Sequence, residues 1–381
     1  MTPAARLSAA ITILDRWLSG IPAEKALVNW ARASRFAGSG DRAAIRDLVF
    51  DAIRCRRSFA ALGGAETGRS LVLGGVRAAG ADPATLFTGE GHAPAPVTEA
   101  ARTPTELEAL DCPDWLAPQL RASLGDKFAP VMQALRHRAP VFLRANGARD
   151  GIIAALAAEG IVARPHPLAA AALEVTEGAR RIQTCTAYRD GLVELQDAAS
   201  QAVTEALPLS DGDRVLDFCA GGGGKTLAMA ARAQLDLTAH DINPRRMADL
   251  PVRAERAGVA VRLANTAEAL ALQYDLVLAD APCSGSGSWR RAPEGKWLLT
   301  AERLEELLHI QSGILDQLAP AVRAGGHLGY ATCSLLRSEN DAQAEAFLAR
   351  HAGWTREKSL TLTPLDGGDG FHLTVLRAPT G

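Results

Sequence analysis

The chain has 381 residues, of which 48% are hydrophobic, and this content excludes a disordered protein and suits two to three domains. The formal net charge of −2 gives no global signature of a nucleic-acid partner. No apolar run reaches the length of a membrane span. The N-terminal "LSAAITIL" runs into Asp15 and Arg16 without a small-residue cleavage site, so we expect a cytoplasmic protein with no membrane partner.

The cysteines are scattered along the chain, without a C-x-x-C motif and without the Cys/His spacing of a metal site. This pattern argues against a structural zinc ion and against a disulfide framework. We therefore expect no metal. The six residues are Cys55, Cys112, Cys185, Cys219, Cys283 and Cys333.

The first hundred residues are predicted to be helical, with Asp41 in "GSGD" as a cap of the second helix. Residues 1–57 carry ten Arg/Lys against five Asp/Glu, which hints at a polyanionic partner but equally suits a solvated helical surface. From about Gly74 to Pro104 the chain is rich in Ala, Gly, Pro and Thr, which predicts a linker. The apolar helix faces comprise Leu7, Ile11, Leu14 and Leu18, then Ile45, Leu48, Val49, Ala52 and Ile53.

The rest of the chain alternates strand and helix patterns. "PVFLRAN" (140–146) is a strand candidate followed by a helix-like stretch, which suits a small α/β module. From Gly191 onward, helical stretches separate the strand candidates "RVLDF", "LDLTAHD", "YDLVLAD" and "GHLGYATC". This alternation predicts a doubly wound parallel sheet, and therefore an α/β fold.

A glycine-rich turn between a strand and a helix, in "RVLDFCAGGGGKTLAMAA" (214–231), marks a ligand loop. It is not a Walker loop, because Cys219 occupies a required glycine position, and not a dinucleotide loop, because Thr226 occupies another. Asp241 ends the next strand about 20 residues later, where a carboxylate can accept hydrogen bonds from ribose hydroxyls. Loop and acid together suggest S-adenosylmethionine; a tight turn without a ligand is the alternative. The candidate loop residues are Cys219, Ala220, Gly221, Gly222, Gly223, Gly224 and Lys225.

Two cysteines follow predicted strands: Cys283 comes after the strand that ends at Asp280, and Cys333 comes after a later one. Carboxyl ends of parallel strands meet at one edge, so both thiols are predicted beside the glycine loop. A thiolate that adds to C6 of a pyrimidine activates C5 for methylation, which gives one cysteine a role and the second a possible role in release. Asp280 is placed to hydrogen-bond the ring. The alternative is that either cysteine is a small buried hydrophobic residue.

The C-terminal half resembles the Fmu/Sun (RsmB-like) RNA cytosine-C5 methyltransferases. Six runs in the family's order carry this resemblance and cover about half the chain. They are "LQDAASQ" (195–201), "VLDFCAGGGGKT" (215–226), "DINPRRM" (241–247), "LADAPCSGSGSWRRAPEGKW" (278–297), "GYATCSLLRSEN" (329–340) and "DGFHLTVLR" (369–377).

The resemblance implies roles that the residues alone leave open. Cys333 would be the nucleophile and Cys283 would assist release of the covalent adduct. Asp280 would contact the target base, Asp241 the cofactor ribose, and the 219–225 loop with Lys225 the methionine end.

Two basic residues also match the family. Arg246 corresponds to the family's arginine in "DINPRRM". Lys296 in "GKW" would support the active-site loop or contact the RNA backbone, unless it is a plain surface lysine.

The family also implies an architecture and a substrate. Residues 1–105 would form an all-α NusB-like RNA-binding domain, 106–190 a small α/β RNA-binding module, and 191–381 a Rossmann-like AdoMet-dependent catalytic domain. The substrate would be a cytosine in RNA, most simply 16S rRNA, and the protein a monomer. The alternatives are the same chemistry on tRNA, or an RNA-binding assembly factor with an inactive methyltransferase domain.

The chain departs from the family pattern at three places. Gly222 replaces the usual proline of the glycine loop, which makes the loop more flexible. Asn265 or Thr266 stands where an aspartate commonly meets the adenine amino group; an amide oxygen can accept the same hydrogen bond. Ala292 and Gly295 replace larger residues.

Overall fold

The computed structural model describes residues 1–380, which form two compact units. The first unit contains residues 1–138 and 289–299, and the second contains residues 139–288 and the chain from 300 onward.

The first unit is helical, as predicted for the first hundred residues. Most of the expected apolar positions are buried in one cluster, and Leu14, Ile45 and Ile53 are fully buried. Ile13 and Leu71, which were not predicted, join this core, whereas the predicted Ile11, Leu18 and Leu48 are only partly buried. The helices are α1 (Pro3–Leu18), α2 (Ala23–Ala33), α3 (Ser39–Arg54), α4 (Arg56–Gly63), α5 (Gly68–Ala78), α6 (Glu106–Ala109), α7 (Ala117–Leu124) and α8 (Phe128–Leu135).

One local prediction for this unit is confirmed in a modified form and one is wrong. Asp41 caps α3 from inside its first turn and not as the N-cap residue: α3 begins at Ser39, and the Asp41 carboxylate accepts a hydrogen bond from the N–H of the N-cap residue Gly38 at 3.3 Å. Gly74 does not begin a linker but lies inside α5, where a Cβ would come within 2.0 Å of the Phe59 backbone oxygen. This glycine lets α5 approach α4 closely, and the irregular connection begins only after Ala78.

The positive charges near the N-terminus are partly neutralised within the unit. Half of the ten basic residues of 1–57 form ion pairs with carboxylates of the same unit. The pairs are Arg6–Asp41, Arg46–Glu24, Arg54–Asp51, Arg56–Glu66 and Arg57–Asp114.

The second unit begins with a four-stranded antiparallel sheet in the order β2-β3-β1-β4. Its first strand is the one predicted over 140–146. The elements are β1 (Val141–Ala145), α9 (Arg149–Ala158), β2 (Val162–Pro165), β3 (Ala172–Glu177), α10 (Thr186–Arg189) and β4 (Val193–Leu195). The helices of 106–135 belong to the first unit, so these units do not test the division at 105 and 190, which stays a prediction.

The second sheet has seven strands in the order β10-β11-β9-β8-β5-β6-β7. Strands β5 to β9 are parallel, as the sequence predicts for a Rossmann-like sheet, and β11 and β10 add antiparallel to β9. The strands are β5 (Arg214–Asp217), β6 (Asp236–Ala239), β7 (Arg262–Leu263), β8 (Tyr274–Asp280), β9 (Val322–Thr332), β10 (Thr355–Leu362) and β11 (Phe371–Arg377).

Both faces of the sheet are covered at its central strand β8, because alternate residues of β8 enter two different cores. Leu276 and Leu278 pack in one cluster, while Val277 and Ala279 pack in another with Leu315 of a long helix. The helices of this region are α11 (Ala198–Glu205), α12 (Gly224–Ala230), α13 (Leu250–Arg256), α14 (Thr266–Leu270), α15 (Glu294–Leu298, part of the first unit), α16 (Ala301–Leu318) and α17 (Asp341–Arg350). No helix within residues 1–380 is both long and apolar enough to cross a membrane.

Candidate active site

The candidate residues gather at the carboxyl edge of the parallel strands. Strand β5 ends at Asp217 before the glycine loop, β6 is followed by His240 and Asp241, and β8 ends at Asp280. Cys333 comes directly after β9. Because these strands run parallel, their ends share one edge of the sheet, which is where parallel sheets bind ligands.

Two glycines of the loop adopt backbone conformations that side chains disfavour. Gly221 has φ +52° and Gly223 has φ +78°, and a Cβ on Gly223 would lie 2.2 Å from Leu250 Cδ1. Gly222, which replaces the family's proline, is exposed and is not in the left-handed region. The turn therefore depends on Gly221 and Gly223 and tolerates the departure at Gly222.

Asp241 is buried behind this loop and already accepts several hydrogen bonds. Its Oδ2 accepts from the Gly221 N–H at 3.0 Å and lies 3.1 Å from Arg246 Nη1, while Oδ1 accepts from the Asn243 N–H at 2.9 Å. A carboxylate has about four acceptor positions. One position therefore remains for a ligand hydroxyl, and a second requires the exposed Arg246 side chain to move.

An apolar residue that the sequence analysis missed stands beside Asp241. Ile242 is 83% exposed, although isoleucine is usually buried. An exposed apolar side chain next to a buried carboxylate suits a ligand with an aromatic ring joined to a sugar. The sequence feature that could have identified Ile242 is "DIN", where an apolar residue directly follows the acid.

Asn265 and Thr266 build the turn after β7. The Asn265 side chain accepts from the Glu268 N–H at 3.0 Å and caps α14, and Thr266 Oγ1 hydrogen-bonds His240 Nε2 at 2.9 Å. The Asn265 oxygen retains one acceptor position, so its contact with adenine stays a proposal.

Lys225, which is buried, and Asp280, which is partly exposed, form an ion pair between the loop and strand β8. Lys225 Nζ lies 2.7 Å from Asp280 Oδ2 and 4.7 Å from the ring centroid of Phe371, a second residue that the sequence analysis did not single out. Burial opposes the charge on Lys225, but the Asp280 carboxylate outweighs it, and the pKa of Lys225 lies above its ordinary value. Lys225, which is predicted to contact the methionine end of the cofactor, is thus anchored to Asp280, which is predicted to contact the target base.

The two cysteines meet, as the strand ends predict. Their Sγ atoms lie 3.4 Å apart, and both thiols are free. The hydrogen bond from Cys283 lowers the pKa of Cys333 against the effect of burial, with Lys225 adding to the decrease. The same contact and burial raise the pKa of Cys283 well above its ordinary value. The arrangement therefore favours a thiolate on Cys333 and a proton on Cys283.

Other cysteines lie in environments that suppress reactivity. Burial raises the pKa of Cys55 to about 12 and that of Cys112 to about 11, and it also raises the pKa of Cys219. Cys333 is set apart from them by its lowered pKa. Within residues 1–380, no group of three or more His, Cys, Asp or Glu side chains is arranged to hold a metal ion.

Asp217, at the end of β5, is a further residue that the sequence analysis missed. It accepts a hydrogen bond from Thr226 Oγ1 at 2.7 Å, and burial raises its pKa to about 7. This hydrogen bond ties the end of β5 to the start of α12.

Lys296 is not a surface lysine. It is buried in the first unit, where Nζ donates to the Arg54 backbone oxygen at 2.9 Å, and burial lowers its pKa to about 8. The neighbouring Trp297 Nε1 donates to the Ile53 oxygen at 2.7 Å. These contacts secure residues 289–299 within the first unit, and the predicted role in supporting the active-site loop stays a prediction.

Comparisons with known proteins identify the family to which this chain is similar. Residues 204–376 match the model described as "16S rRNA methyltransferase RsmB/F", and residues 112–181 match an RsmF/B-like ferredoxin-like domain. The crystal structure of PH0851 aligns over 99% of both chains with a TM-score of 0.76 and 21% identity, a likeness of fold.

Curated relatives agree with the family models. The chain is similar to ribosomal RNA small subunit methyltransferase B of Erwinia tasmaniensis, with 33% identity over 69% of this chain and 66% of the relative. It is also similar to the protein of that name from Xanthomonas campestris pv. campestris, with 36% identity over 65% of this chain and 60% of the relative. The matches thus span 60% to 66% of these relatives' lengths. The chain belongs to the RsmB/F family of methyltransferases, the Fmu/Sun family that the six sequence runs indicated.

Proposed function

We propose that this protein transfers a methyl group from S-adenosylmethionine to C5 of a cytosine in RNA, with small-subunit (16S) rRNA as the substrate. The observation that carries the proposal is the pair of thiols, 3.4 Å apart, at the strand edge that also holds Lys225, Asp280 and the glycine loop. The names of the curated relatives support rRNA as the class of RNA.

The described residues fit S-adenosylmethionine, which supplies an electrophilic methyl on a sulfonium when bound. Asp241 would accept from a ribose hydroxyl, and Ile242 would cover one face of adenine. The left-handed conformations of Gly221 and Gly223 hold the loop backbone close to the ligand. Asn265 would accept from the adenine amino group through its remaining lone pair.

Cys333 begins the reaction as the nucleophile. Its thiolate attacks C6 of the cytosine, and the electron pair of the C5–C6 double bond moves so that C5 becomes nucleophilic. Asp280 hydrogen-bonds the ring edge and stabilises the charge that develops in the base. C5 would then take the methyl group as the carbon–sulfur bond of the sulfonium breaks, with its electron pair left on the sulfur as a neutral thioether, while Lys225 holds Asp280 in place.

Release of the product requires loss of the C5 proton. The electrons of the C5–H bond restore the double bond to C6, and the Cys333 sulfur leaves as a thiolate. Cys283, in contact with Cys333, assists this step: its thiol, whose pKa is raised, keeps its proton and donates a hydrogen bond to the departing Cys333 sulfur, while water takes the C5 proton. The target cytosine must be unstacked to reach both thiols, so we expect it in a loop or flipped out of a helix.

Substitution of each cysteine tests the mechanism. Cys333→Ala should abolish methylation without forming a covalent RNA complex. Cys283→Ala should accumulate a denaturant-resistant protein–RNA adduct. The opposite result would reverse the two roles, and loss of the adduct in both variants would refute the thiol mechanism.

Mapping of 5-methylcytosine in total RNA from cells with and without the gene tests the substrate. Loss of a single site in 16S rRNA is the expected result. Loss of a tRNA site would show that the protein carries out the same chemistry on tRNA. If the purified protein binds S-adenosylmethionine but methylates no cytosine-containing RNA, an assembly factor with an inactive methyltransferase domain becomes the better explanation.

A further inference from the structure

A buried glutamate lies between the two loops that carry the thiols. Glu339 is fully buried in the short turn that precedes α17. It belongs to the run "GYATCSLLRSEN", but neither the sequence pattern nor the mechanism above gives it a role. Burial of a carboxylate is costly unless its oxygens are paired, so its partners indicate what it does.

The partners of Glu339 come from residues next to the cysteines. Oε1 accepts from the Ser284 N–H at 2.8 Å, and Oε2 accepts from the Ser284 and Ser334 hydroxyls, each at 2.5 Å. Ser284 directly follows Cys283, and Ser334 directly follows Cys333. One carboxylate therefore ties together two loops that lie 50 residues apart in sequence.

A second side chain extends the network to the other side of Cys283. Gln311 of α16 donates from Nε2 to Glu339 Oε1 at 3.0 Å and to the Pro282 backbone oxygen at 2.9 Å. The residues before and after Cys283 are thereby fixed by one cluster.

Ser286 closes the cluster from the Cys283 loop. Its hydroxyl lies 3.1 Å from those of Ser284 and Ser334 and accepts from the Leu335 N–H at 2.8 Å. The serine run of the loop thus serves to join the two strand ends.

The acceptor capacity of Glu339 is filled by these contacts. A carboxylate offers about four acceptor positions, and four donors reach this one. Glu339 is therefore committed to structure, and its effect on the reaction passes through the positions of the thiols. Such positions matter because reacting groups held about 1 Å out of place lose much of their rate.

We propose that Glu339 is a positioning residue that holds the two thiols at reaction distance, and that Ser334 and Ser284 divide its effect between attack and release. This inference rests on the proposed cytosine-C5 chemistry. Ser334 connects Glu339 to the loop of the nucleophile, Cys333. Ser284 connects it to the loop of Cys283, which assists release.

The serine variants test this division by separating the two steps. Ser334→Ala should slow formation of the covalent RNA adduct about tenfold, as expected for loss of a hydrogen bond to a charged group, with little effect on its breakdown. Ser284→Ala should slow breakdown by a similar factor, so that the adduct accumulates during turnover. Quenched-flow trapping of the adduct measures both rates, and the KM for S-adenosylmethionine should not change.

Two Glu339 variants separate geometry from charge. Glu339→Gln should keep most of the rate, because the Ser284 and Ser334 hydroxyls can rotate to accept from the new amide. Glu339→Leu should slow both formation and breakdown of the adduct, because all four hydrogen bonds to the carboxylate disappear. If Glu339→Leu does not fold, the glutamine and serine variants still decide the outcome.

Ser338→Ala is the matched control, because the Ser338 hydroxyl has no hydrogen-bond partner within the described residues. It should leave both rates unchanged. The proposal is overturned if the Ser284 and Ser334 variants behave like this control, or if both slow the same step.

A readout without RNA separates this inference from the proposed function. The rate at which iodoacetamide alkylates Cys333 should differ between Glu339→Leu and the wild type, even if no cytosine is methylated. A wild-type protein that methylates nothing would refute the proposed function. An active wild type with Glu339→Leu at wild-type rates and wild-type alkylation would refute only the role of Glu339.

Discussion

Lys225 Nζ lies 2.7 Å from Asp280 Oδ2, so the cation of the glycine loop is paired with the carboxylate at the end of strand β8. Both charges also act on the proposed nucleophile: Lys225 lowers the pKa of Cys333, and Asp280 raises it. The pair therefore links the ligand loop to the reactivity of a thiol on another strand.

Substitution of Lys225 should raise the pKa of Cys333. In Lys225→Met the favourable charge is gone and Asp280 is unopposed, so less thiolate is present at neutral pH. Each unit of increase in the pKa reduces the thiolate fraction about tenfold. The pH dependence of iodoacetamide alkylation at Cys333 measures this shift. Lys358→Met, which changes an exposed lysine of β10, is the control, and an identical profile in both variants would contradict the coupling.

Substitution of Cys283 should also raise the pKa of Cys333, because the hydrogen bond from Cys283 is the largest influence that lowers it. Cys283→Ala should therefore react with iodoacetamide more slowly than the wild type at pH 7 and reach the same rate at high pH. Mass spectrometry of the alkylated protein locates the modification. An unchanged profile would mean that the 3.4 Å contact has no effect on the proton of Cys333.

The same contact should make the thiols sensitive to oxidation. A disulfide needs the sulfur atoms at about 2.0 Å, so a closure of little more than 1 Å from the observed 3.4 Å is sufficient. We expect diamide to oxidise Cys283 and Cys333 to a disulfide with loss of methyl transfer, and dithiothreitol to restore it. The intact mass should fall by two hydrogens in the wild type but not in Cys283→Ala. Inactivation without that mass change would refute this explanation.

The strands and the meeting of the thiols could be predicted from the sequence for one reason. Parallel strands end at a common edge, so a residue that follows an apolar strand run is placed there by topology alone. This holds for Asp280, Cys283 and Cys333, each of which lies at or just after the end of such a run.

Other parts of the site depend on contacts between distant segments and gave no local signal. Glu339 looks like a solvated residue in "RSEN", yet it is buried because serines from two strand ends donate to it. Lys296 looks like a surface lysine, yet its partner is the backbone oxygen of Arg54, far away in sequence. Gly74 looked like a linker residue because composition does not reveal a close helix crossing.

The raised pKa of Asp217 predicts a pH dependence of stability. Its pKa is about 7 in the folded protein, against about 3.9 in an unfolded chain, so the folded state binds an extra proton between these values. The free energy of unfolding should therefore fall as pH rises from about 4 to about 7, with no further loss above. Asp217→Asn removes this contribution to the pH dependence of the free energy of unfolding and keeps a hydrogen-bond acceptor for Thr226.

Thermal unfolding of the wild type and Asp217→Asn between pH 5 and pH 8 measures the effect. The wild type should lose stability relative to the variant as pH rises. His372, whose pKa burial lowers to about 4, titrates with the opposite sign, but it is present in both proteins and cancels in the difference. Parallel curves for the two proteins would contradict the shift assigned to Asp217.

Gly287 should be intolerant of a side chain, because it packs the Cys283 loop against two other segments. Its N–H donates to the Cys333 oxygen at 2.9 Å, and its own oxygen accepts from the Gly370 N–H at 2.9 Å. A Cβ would lie 2.2 Å from the Gly370 oxygen, so Gly287→Ala must push the loop away from Gly370 and disturb its hydrogen bond to Cys333, at a cost of about 1–3 kcal/mol. Gly313→Ala in α16 is the matched control: nothing lies within 4 Å of its Cβ, and the change should stabilise the helix by about 0.5–1 kcal/mol. Chemical denaturation gives both values, and the alkylation rate of Cys333 should fall only in Gly287→Ala; equal effects of the two substitutions would show that the loop is not held at this point.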